Sequence, residues 1–510
     1  MYCNVLDYFE ETVGKFPDKT AVVHRDTVLT FKELSNSSRS IAGKILQYSG
    51  NIRNKPVGVL LSKSADVVAA DIGVMYSGNT FMNLDIKTPV KRIENSLNSI
   101  QPAMIITDAG LYDKYRPAFG DTPVILIQEA ENAGVEDVII DEIRTRSIDT
   151  DPFCIINTSG STGIPKGVVL SYRSFFDFMD WSCSTFSLLN ENTIIGSLSP
   201  AVFDIYVFEL CLLMVKGASM VLLDAELGMF PAKLLDAVER NKVNFIFWVP
   251  SIMVNIANKE LLSRIELTYL KLVWFAGEVF PTKQFNYWRK CLPGVRFVNL
   301  YGPIEITLDC TYYEVEREFP DNEPLPIGYP CRNTDILILN DKDEACKEGE
   351  EGELCVRGTS LAMGYYNNPE KTSAVFVQNP LNKSYPERIY RTGDVVLVNE
   401  RGEIIFKGRK DSLIKHMGYR IELGEIEHVV INTLHLFEYC CVLYDYIKKN
   451  IVLIYEAEEK IDTGIIRNSM LEVLPKYMVP VIFHQLELLP RNTNGKIDRQ
   501  KLKETYLEEV

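Results

Sequence analysis

The sequence predicts an α/β fold, α+β in places, with a large N-terminal lobe and a small C-terminal lobe. Short apolar segments rich in β-branched and aromatic residues alternate with amphipathic helical segments, a pattern typical of parallel sheets covered by helices. At 510 residues, the chain is too long for one ordinary core. Near residue 408 a charged, glycine-containing segment precedes a fresh mixture of helix and strand, so we place a domain boundary between residues 1–408 and 409–510.

Six segments of the large lobe are predicted to be buried strands because each is short and apolar. They cover residues 57–61, 103–106, 124–127, 221–223, 245–249 and 272–275. Between them, residues 231–240 and 283–291 have the apolar spacing of helices. From about Pro326 the chain changes to shorter strands and glycine-rich turns, as in residues 349–358, which predicts a small antiparallel β subdomain.

The acidic composition narrows the possible partners and the location. With 69 Asp and Glu against 54 Lys and Arg, the net charge is −15, which offers no basic footprint for nucleic acid or anionic lipid. The 11 cysteines form no Cys-x-x-Cys pair and the 5 histidines lack metal-ligand spacing. We find no secretory signal and no run of about 20 apolar residues. The sequence therefore predicts a cytoplasmic protein without a zinc site, a nucleic acid partner or membrane insertion.

Residues 158–167 read Thr-Ser-Gly-Ser-Thr-Gly-Ile-Pro-Lys-Gly and follow a strand-like segment. The backbone N–H groups of such a loop can surround an anion while Lys166 neutralises its charge. The loop is not a Walker A motif, because Gly167 stands where that motif requires Ser or Thr after the lysine. The pattern predicts a phosphate-binding loop.

Together with this loop, further segments in a fixed order make the sequence resemble the adenylate-forming (AMP-binding) enzymes. Within them it is similar to the stand-alone amino-acid adenylation domains of nonribosomal peptide synthetases and to the D-alanyl carrier protein ligases. The resemblance covers nearly the whole chain, and its segments are residues 29–34, 299–305, 390–394, 408–411, 418–422 and 494–496.

The resemblance implies two half-reactions that use ATP and Mg²⁺. A carboxylate and ATP give an acyl-adenylate and pyrophosphate, and a phosphopantetheine thiol then takes the acyl group. A carboxylate becomes a good electrophile only when its oxygen is a good leaving group, which AMP provides. The fold implied is an AMP-binding domain, residues 1–408, with two α/β subdomains and a small β subdomain, followed by a mobile C-terminal domain, residues 409–510.

The resemblance also assigns residues to the nucleotide. Tyr301 would stack on adenine, Asn299 would bind its exocyclic amine, and Asp394 would accept hydrogen bonds from both ribose hydroxyls. Glu305 matches the magnesium-binding acid, and Lys496 matches the lysine that contacts the reacting carboxylate and the α-phosphate. The catalytic residues would be Lys496, Thr162 and Glu305. The full ATP and AMP set would be Thr158, Ser159, Gly160, Ser161, Thr162, Gly163, Lys166, Gly277, Glu278, Asn299, Tyr301, Gly302, Glu305, Asp394, Arg409 and Lys496.

For the amino acid substrate, the resemblance places Asp204 against the α-ammonium, which is costly to desolvate without an opposite charge. The large pocket residues favour a small amino acid, and Asp309 could accept a hydrogen bond from a hydroxyl, which would suit serine; alanine and glycine stay open. The substrate set would be Asp204, Ile205, Phe208, Phe247, Trp274, Ala276, Leu300, Leu308 and Asp309.

One departure from the family pattern concerns residue 304. The family has Tyr-Gly-Pro-Thr-Glu at residues 301–305, whereas this chain has Ile304 in place of the threonine whose hydroxyl would reach the α-phosphate. Losing one hydrogen bond to a charged acceptor costs about 1–3 kcal/mol, so we expect adenylation to be about tenfold slower or more.

The second half-reaction would require the C-terminal lobe to swing about Asp411, exchanging Lys496 for the loop around Gly418. No carrier-like segment follows Lys496, so we expect the phosphopantetheinylated carrier protein to be a separate chain. Two alternatives stay open. A carboxylate–CoA ligase for an aryl or fatty acid would share the nucleotide motifs but would not need Asp204, and a catalytically silent nucleotide-binding relative would account for Ile304.

Overall fold

The computed structural model describes residues 4–49, 52–130, 137–158, 165–410, 413–437, 439–491 and 497–507. The strands in this part of the chain are β1 (Thr20–His24), β2 (Thr27–Thr30), β3 (Pro56–Leu60), β4 (Thr80–Asn83), β5 (Met104–Thr107), β6 (Val124–Leu126), β7 (Pro152–Thr158), β8 (Lys166–Ser171), β9 (Ile194–Ser197), β10 (Ser219–Leu222), β11 (Phe245–Trp248), β12 (Leu272–Phe275), β13 (Arg296–Tyr301), β14 (Thr311–Glu314), β15 (Tyr329–Pro330), β16 (Thr334–Leu339), β17 (Gly352–Gly358), β18 (Gly364–Tyr365), β19 (Phe376–Gln378), β20 (Arg388–Val398), β21 (Ile404–Arg409), β22 (Leu413–His416), β23 (Tyr419–Glu422), β24 (Cys440–Asp445), β25 (Asn450–Glu456) and β26 (Ile482–Leu486).

The α-helices of the same ranges are α1 (Val5–Lys15), α2 (Phe31–Ser49), α3 (Ala65–Tyr76), α4 (Val90–Ile100), α5 (Ala109–Phe119), α6 (Asp137–Arg146), α7 (Tyr172–Thr185), α8 (Asp204–Lys216), α9 (Pro231–Arg240), α10 (Pro250–Asn258), α11 (Thr282–Cys291), α12 (Pro369–Val375), α13 (Leu423–His428), α14 (Thr463–Leu471) and α15 (Arg499–Tyr506). None of these helices combines the length and the apolar composition needed to cross a membrane.

Two large sheets form the body of the first 330 residues. One is a nine-stranded sheet in the order β15-β14-β13-β12-β11-β9-β10-β1-β2. Its six central strands, from β13 to β1, are parallel, and its edges are antiparallel. The other is a seven-stranded sheet in the order β18-β8-β7-β4-β3-β5-β6, parallel from β7 to β6. The predicted α/β class with largely parallel sheets is confirmed.

The two sheets share one hydrophobic core with the helices between them. Helix α8 is apolar on every side and is buried from Ile205 to Met214, which is typical of a helix enclosed by protein. It ends at Gly217, whose φ of 73° is a left-handed conformation that glycine adopts without strain. Helix α3 is buried from Val67 to Tyr76 in the same core, where it contacts β3, β4 and β1.

The remaining strands form smaller sheets. A five-stranded antiparallel sheet, β16-β17-β20-β19 with β21 beside β20, lies within residues 334–409, where the sequence predicts an antiparallel β subdomain. A three-stranded sheet, β24-β25-β26, belongs to the C-terminal region and packs with α13 and α14 around its own core. Between these regions, β22 and β23 form a hairpin whose two-residue turn has positive φ at Met417 and Gly418.

Candidate functional site

A cavity of about 170 Å³ opens where the carboxyl ends of β11, β12 and β13 meet the start of α8 and the β22–β23 hairpin. Ligands of parallel sheets bind at this end of the strands. The cavity is lined by residues of both predicted sets, the ATP and AMP set and the substrate set. These residues are Thr158, Asp204, Ile205, Phe247, Ala276, Gly277, Gly302, Leu308 and Asp309. The cavity therefore brings predicted phosphate-side and substrate-side residues together.

Three of the residues predicted to hold the nucleoside, Tyr301, Asp394 and Arg409, form one hydrogen-bonded cluster. Asp394 and Arg409 are cross-strand neighbours on β20 and β21, and the Arg409 guanidinium donates to the Asp394 carboxylate. The Tyr301 hydroxyl donates to the other oxygen of Asp394, and burial raises the pKa of Tyr301 well above its usual value. Asn299 donates its amide to the Pro326 carbonyl at 2.8 Å, a bond that orients the amide group at the end of β13.

Glu305 is fully buried and ion-paired. Its Oε1 accepts a hydrogen bond from the Tyr365 hydroxyl at 2.8 Å, and its Oε2 accepts one from the Arg420 guanidinium. Burial alone would raise the pKa of Glu305, but Arg420 and Tyr365 hold it below the usual value. Glu305 is therefore a carboxylate and not a carboxylic acid.

Among the described residues, no group of three His, Cys, Asp or Glu side chains could hold a metal ion by itself. Glu305 nevertheless fits Mg²⁺, because this cation is commonly held by one or two carboxylates together with substrate phosphates. Glu305 is an ionised, buried carboxylate that contacts Tyr365, the same ring that Lys166 approaches, and it satisfies that requirement.

The predicted phosphate loop joins β7 to β8. Thr158 ends β7 and Lys166 begins β8, while Ser159, Gly160, Ser161, Thr162 and Gly163 lie outside the described residues. The Lys166 ammonium donates to Glu422 Oε1 at 2.6 Å and lies 5.3 Å from the centroid of the Tyr365 ring. Lys496, predicted to be catalytic, and Asp411, the predicted hinge, also lie outside the described part of the chain.

The substrate side of the cavity contains two acids and one cation. Burial raises the pKa of Asp204 to about 6, although Lys415 acts against the rise. Burial raises the pKa of Asp309 well above its usual value, and the charge of Asp204 adds to this shift. Asp309 Oδ2 is buried without a hydrogen-bond partner among the described residues. Two carboxyl groups in one small cavity favour a cationic or hydrogen-bond-donating ligand.

Three predicted substrate residues, Phe208, Trp274 and Leu300, do not line this cavity. Phe208 stacks on Trp274 with ring centroids 5.3 Å apart, and the edge of Phe247 meets Trp274 at 5.5 Å. Phe208 and Trp274 have no exposed surface, and Leu300 is 2% exposed. Phe247 separates these rings from the space of the cavity, so they fill the volume behind it.

Glycines 277 and 302 shape the backbone around the cavity. Gly277 follows β12 with a φ of 90°, a conformation that favours glycine. A Cβ on Gly302 would come within 2.2 Å of the Leu308 carbonyl oxygen, so only glycine allows this close approach. Glu278 accepts hydrogen bonds from the backbone N–H groups of Ser251 at 2.9 Å and Gly418 at 2.8 Å. It therefore ties the hairpin turn to the start of α10.

The sequence interpretation missed four residues that contact the site. Tyr365 holds Glu305, and Lys415, Arg420 and Glu422 reach the site from the hairpin. Residues 418–422 form a recognised segment, but the resemblance gives a role only to the loop around Gly418. Side chains alternate between the two faces of a strand, so Arg420 and Glu422 share one face of β23. This spacing was the feature of the sequence that could have identified them as a pair.

Comparison with known proteins identifies relatives along the whole chain. The model of the family described as AMP-binding enzyme matches residues 9–366. Zwittermicin A synthase ZmaJ of Bacillus cereus is 29% identical over 508 residues, covering 97% of this chain and 93% of that protein. Tyrocidine synthase 1 of Brevibacillus parabrevis is 29% identical over 506 residues, covering 99% of this chain but only 45% of that protein.

Among solved structures, the Vibrio cholerae adenylation domain AlmE in complex with glycyl-adenosine-5'-phosphate superimposes with a TM-score of 0.84. It is 20% identical, and the match covers 99% of this chain and 98% of that one. At this identity the likeness establishes the fold alone. Because the match covers 99% of this chain, it includes both the two-sheet body and the C-terminal region.

Proposed function

The chain belongs to the AMP-binding enzyme family, and from this premise we propose that it activates a small amino acid as an aminoacyl-adenylate and then passes it to a carrier thiol. In the first step an oxygen of the amino acid carboxylate attacks the α-phosphorus of ATP, and the bond to the β-phosphate breaks, so that pyrophosphate leaves. In the second step the thiol attacks the acyl carbon and AMP leaves. The proposed carrier is a phosphopantetheinylated protein that acts in trans.

The observation that supports an amino acid is the position of Asp204. Its carboxyl lies in the cavity with a pKa raised by burial to about 6, and an ammonium ion beside it would favour the ionised form. Lys415 is the cation that faces Asp204 and Asp309 in this cavity, so a substrate ammonium would supply a second positive charge for the two acids, which an aryl or fatty acid would not. Asp204 thus favours amino acid activation over the carboxylate–CoA ligase alternative.

The small size of the substrate rests on the packing behind the cavity. Phe208 and Trp274 fill the space beyond Phe247, which leaves little room for a long side chain in that direction. Asp309 Oδ2 offers an acceptor to a side-chain hydroxyl, so serine fits together with alanine and glycine. The glycyl-adenylate bound by AlmE is a small product of the same kind.

The nucleotide roles follow the geometry of the large lobe. We propose that Asp394 binds the ribose hydroxyls, that the ring of Tyr301 stacks on adenine, and that Lys166 binds the pyrophosphate. Mg²⁺, held by Glu305, would neutralise phosphate charge when it is bound. Lys496 and Thr162 keep the catalytic roles that the resemblance implies.

The ten described cysteines are free thiols, which suits a reducing cytoplasm.

ATP–pyrophosphate exchange tests this function directly. We propose a panel of the twenty amino acids, D-alanine, propionate and several aryl acids, with [³²P]pyrophosphate and Mg²⁺. Exchange should be fastest with serine, alanine or glycine. A preference for an aryl acid would establish the ligase alternative, and an absence of exchange with every acid, in protein that binds ATP, would establish the silent relative.

A further inference from the structure

Lys63 is a partly buried cation to which the proposed function gives no role. It lies in the loop between β3 and α3, and its ammonium donates to the backbone carbonyls of Ser197 and Ser199, each at 2.6 Å. β3 belongs to the seven-stranded sheet, whereas Ser197 ends β9 of the nine-stranded sheet. Lys63 therefore connects the two sheets at the carboxyl ends of parallel strands.

The side chain of Ser197 forms a second link at the same place. Its hydroxyl donates to Glu209 Oε2 at 2.5 Å, and neither Ser197 nor Glu209 has any exposed surface. Glu209 lies on α8, within two turns of Asp204, which is the first residue of that helix. Ser197 therefore connects the end of β9 to the beginning of α8.

Lys63 and Glu209 stabilise each other's charge. Burial lowers the pKa of Lys63 to about 8 and raises the pKa of Glu209 to about 7, and the charge of each residue opposes the shift of the other. Asp224 also acts to raise the pKa of Lys63. Desolvating an ammonium and a carboxyl group is costly, so their presence indicates a requirement for defined positions and not only for packing.

The segment anchored by these contacts leads directly into the substrate side of the cavity. Residues 198–203 connect β9 to α8, and Ser199 and Phe203 line the cavity together with Asp204. Within the segment, the Phe203 N–H donates to the Pro200 carbonyl at 3.1 Å, which forms one turn. A displacement of this segment would therefore displace Asp204.

The first turn of α8 has few restraints of its own. Phe203 occupies the N-cap position and provides no capping hydrogen bond from its side chain, and Asp204 Oδ1 accepts the N–H of the adjacent Ile205 at 2.9 Å. A helix start without a capping side chain depends more strongly on contacts with other elements. The links of Lys63 and Ser197 supply such contacts.

The nucleoside residues are held by a different set of elements. Their hydrogen bonds join β13, β20 and β21. Lys63, Ser197 and Glu209 belong to the β3–α3 loop, β9 and α8. A change in this second group should therefore alter the binding of the amino acid and leave the binding of ATP in place.

We propose that Lys63, together with Ser197 and Glu209, is a positioning residue that holds residues 198–203 so that Asp204 faces the ammonium of the amino acid. This inference rests on the proposed function. The three residues act through Asp204 and do not touch the substrate. They add determinants of substrate affinity that lie outside the substrate set predicted from the sequence.

Michaelis constants from ATP–pyrophosphate exchange test the proposal. Lys63→Met removes the ammonium, and we expect the KM for the preferred amino acid to rise about tenfold or more while the KM for ATP stays within about twofold. Lys63→Arg keeps the charge and the N–H donors and should restore most of the affinity. Lys283→Met changes an exposed lysine on α11 and serves as the control.

Two further comparisons separate positioning from general damage to the fold. Lys63→Met should change exchange with propionate, which lacks the ammonium, by less than about twofold, and it should add no further loss in an Asp204→Ala background. Ser197→Ala removes the hydroxyl without changing a charge and should raise the amino acid KM about threefold or more. Equal losses with the amino acid and with propionate, or additive effects of Lys63→Met and Asp204→Ala, would overturn the proposal.

Amide hydrogen exchange, followed by mass spectrometry, tests the anchoring without turnover. In Lys63→Met, peptides covering residues 198–205 should exchange about tenfold faster or more, while β12 and β13 keep their protection. Unchanged exchange in this segment would overturn the proposal even if amino acids are activated. Failure of the panel with every acid would reject the proposed function, and the hydrogen exchange would still decide whether Lys63 holds the segment.

Discussion

At the scale of single residues, substitution of Asp204 distinguishes amino acid activation from the carboxylate–CoA ligase alternative. The cavity holds Asp204 and Asp309 with Lys415 as a nearby cation, and Lys415 belongs to the hairpin. The swing of the C-terminal region that the resemblance implies would take Lys415 away, and the two acids would then require a cation or donor from the substrate. The ammonium of an amino acid meets this requirement at Asp204.

We expect Asp204→Ala to lower ATP–pyrophosphate exchange with the preferred amino acid by roughly two orders of magnitude or more, because truncating one member of a buried charge pair costs about 3–5 kcal/mol. Exchange with propionate, which lacks the ammonium, should fall far less. Asp236→Ala removes an exposed acid on α9 and serves as the control. Equal losses with both substrates would assign Asp204 a structural role in α8.

Ile304→Thr tests the departure from the family pattern. Ile304 lines the cavity and is 9% exposed, so a threonine hydroxyl there would face the ligand. We expect a modest rise in adenylation rate, up to about tenfold, as one hydrogen bond to a charged phosphate is regained. The measurement is single-turnover formation of aminoacyl-AMP. A slower reaction would mean that the Ile304 side chain is needed for packing.

Asp71 gives a pH-dependent prediction outside the catalytic groups. It is fully buried on α3, accepts hydrogen bonds from Asn83 and Tyr206, and burial raises its pKa to about 7. Between about pH 4 and pH 7 the folded state then holds a proton that the unfolded state has lost, so this residue's contribution to stability falls as the pH rises.

Asp71→Asn removes that titration. We expect the difference in free energy of unfolding, wild type minus variant, to fall by up to about 1.4 kcal/mol per pH unit between pH 4 and pH 7. Urea unfolding across this range measures it. A difference that is constant with pH would contradict the raised pKa.

At the scale of elements, the loop between β13 and β14 carries Glu305 on one side and Asp309 on the other. Gly302 lets this loop turn back so closely that a Cβ would approach the Leu308 carbonyl oxygen to 2.2 Å. The backbone of this loop therefore fixes the positions of both Glu305, the proposed magnesium ligand, and Asp309, a proposed substrate-binding residue.

Gly302→Ala should displace this loop and lower exchange about 100-fold or more, with a lower melting temperature as the clash is relieved. Gly294→Ala is the matched control, since an added Cβ there meets nothing within 4 Å. Both are measured by exchange and by thermal unfolding. If the two variants behaved alike, the close approach would not determine the geometry of the site.

Several elements were predictable from the sequence because their signals are local. The predicted strand at residues 272–275 and the helix at residues 231–240 match β12 and α9 at both ends, and Pro231 at the first position of α9 marks its start. β10 begins two residues before the predicted strand at residues 221–223, because Ser219 pairs through its backbone with Ile194, which composition does not reveal.

The contacts of the hairpin were not predictable in this way. Arg420 lies 115 positions from Glu305, and Glu422 lies 256 positions from Lys166. Period-two alternation indicates which face of β23 a residue occupies, but it does not indicate what that face meets. Similarly, the family pattern grouped Phe208 and Trp274 with the pocket, whereas the aromatic stacking that places them behind Phe247 depends on three separate elements.

At the scale of the whole molecule, several ion pairs join the regions on either side of the proposed boundary, and one of them is the buried pair between α4 and α13. Arg92 of α4 and Glu425 of α13 have side chains that are 8% and 0% exposed. Removing Arg92 takes a hydrogen-bonded counter-charge away from the buried Glu425 carboxylate, and breaking such a buried pair commonly costs about 3–5 kcal/mol. We expect this free-energy cost to lower the local stability of the elements where the two regions meet.

We expect Arg92→Gln to raise amide hydrogen exchange in β22 and β23 about 100-fold or more, while β3 and β5 keep their protection. Arg146→Gln breaks an exposed pair with Glu142 and should change neither. Exchange is followed by mass spectrometry of peptides. A rise across all strands would show that the pair stabilises the whole fold and not the docking of the hairpin.

The nine-stranded sheet has a consequence for synthesis on the ribosome. β1 pairs with β10, so Val22 finds its partner Met220 only after most of the large lobe has been made. At 5–20 residues per second, the wait is roughly 10–40 s. The seven-stranded sheet, whose parallel strands all lie before residue 160, can assemble during this time. The β1–β2 ribbon meanwhile keeps an open edge, at which it can pair with other strands until β10 has been made.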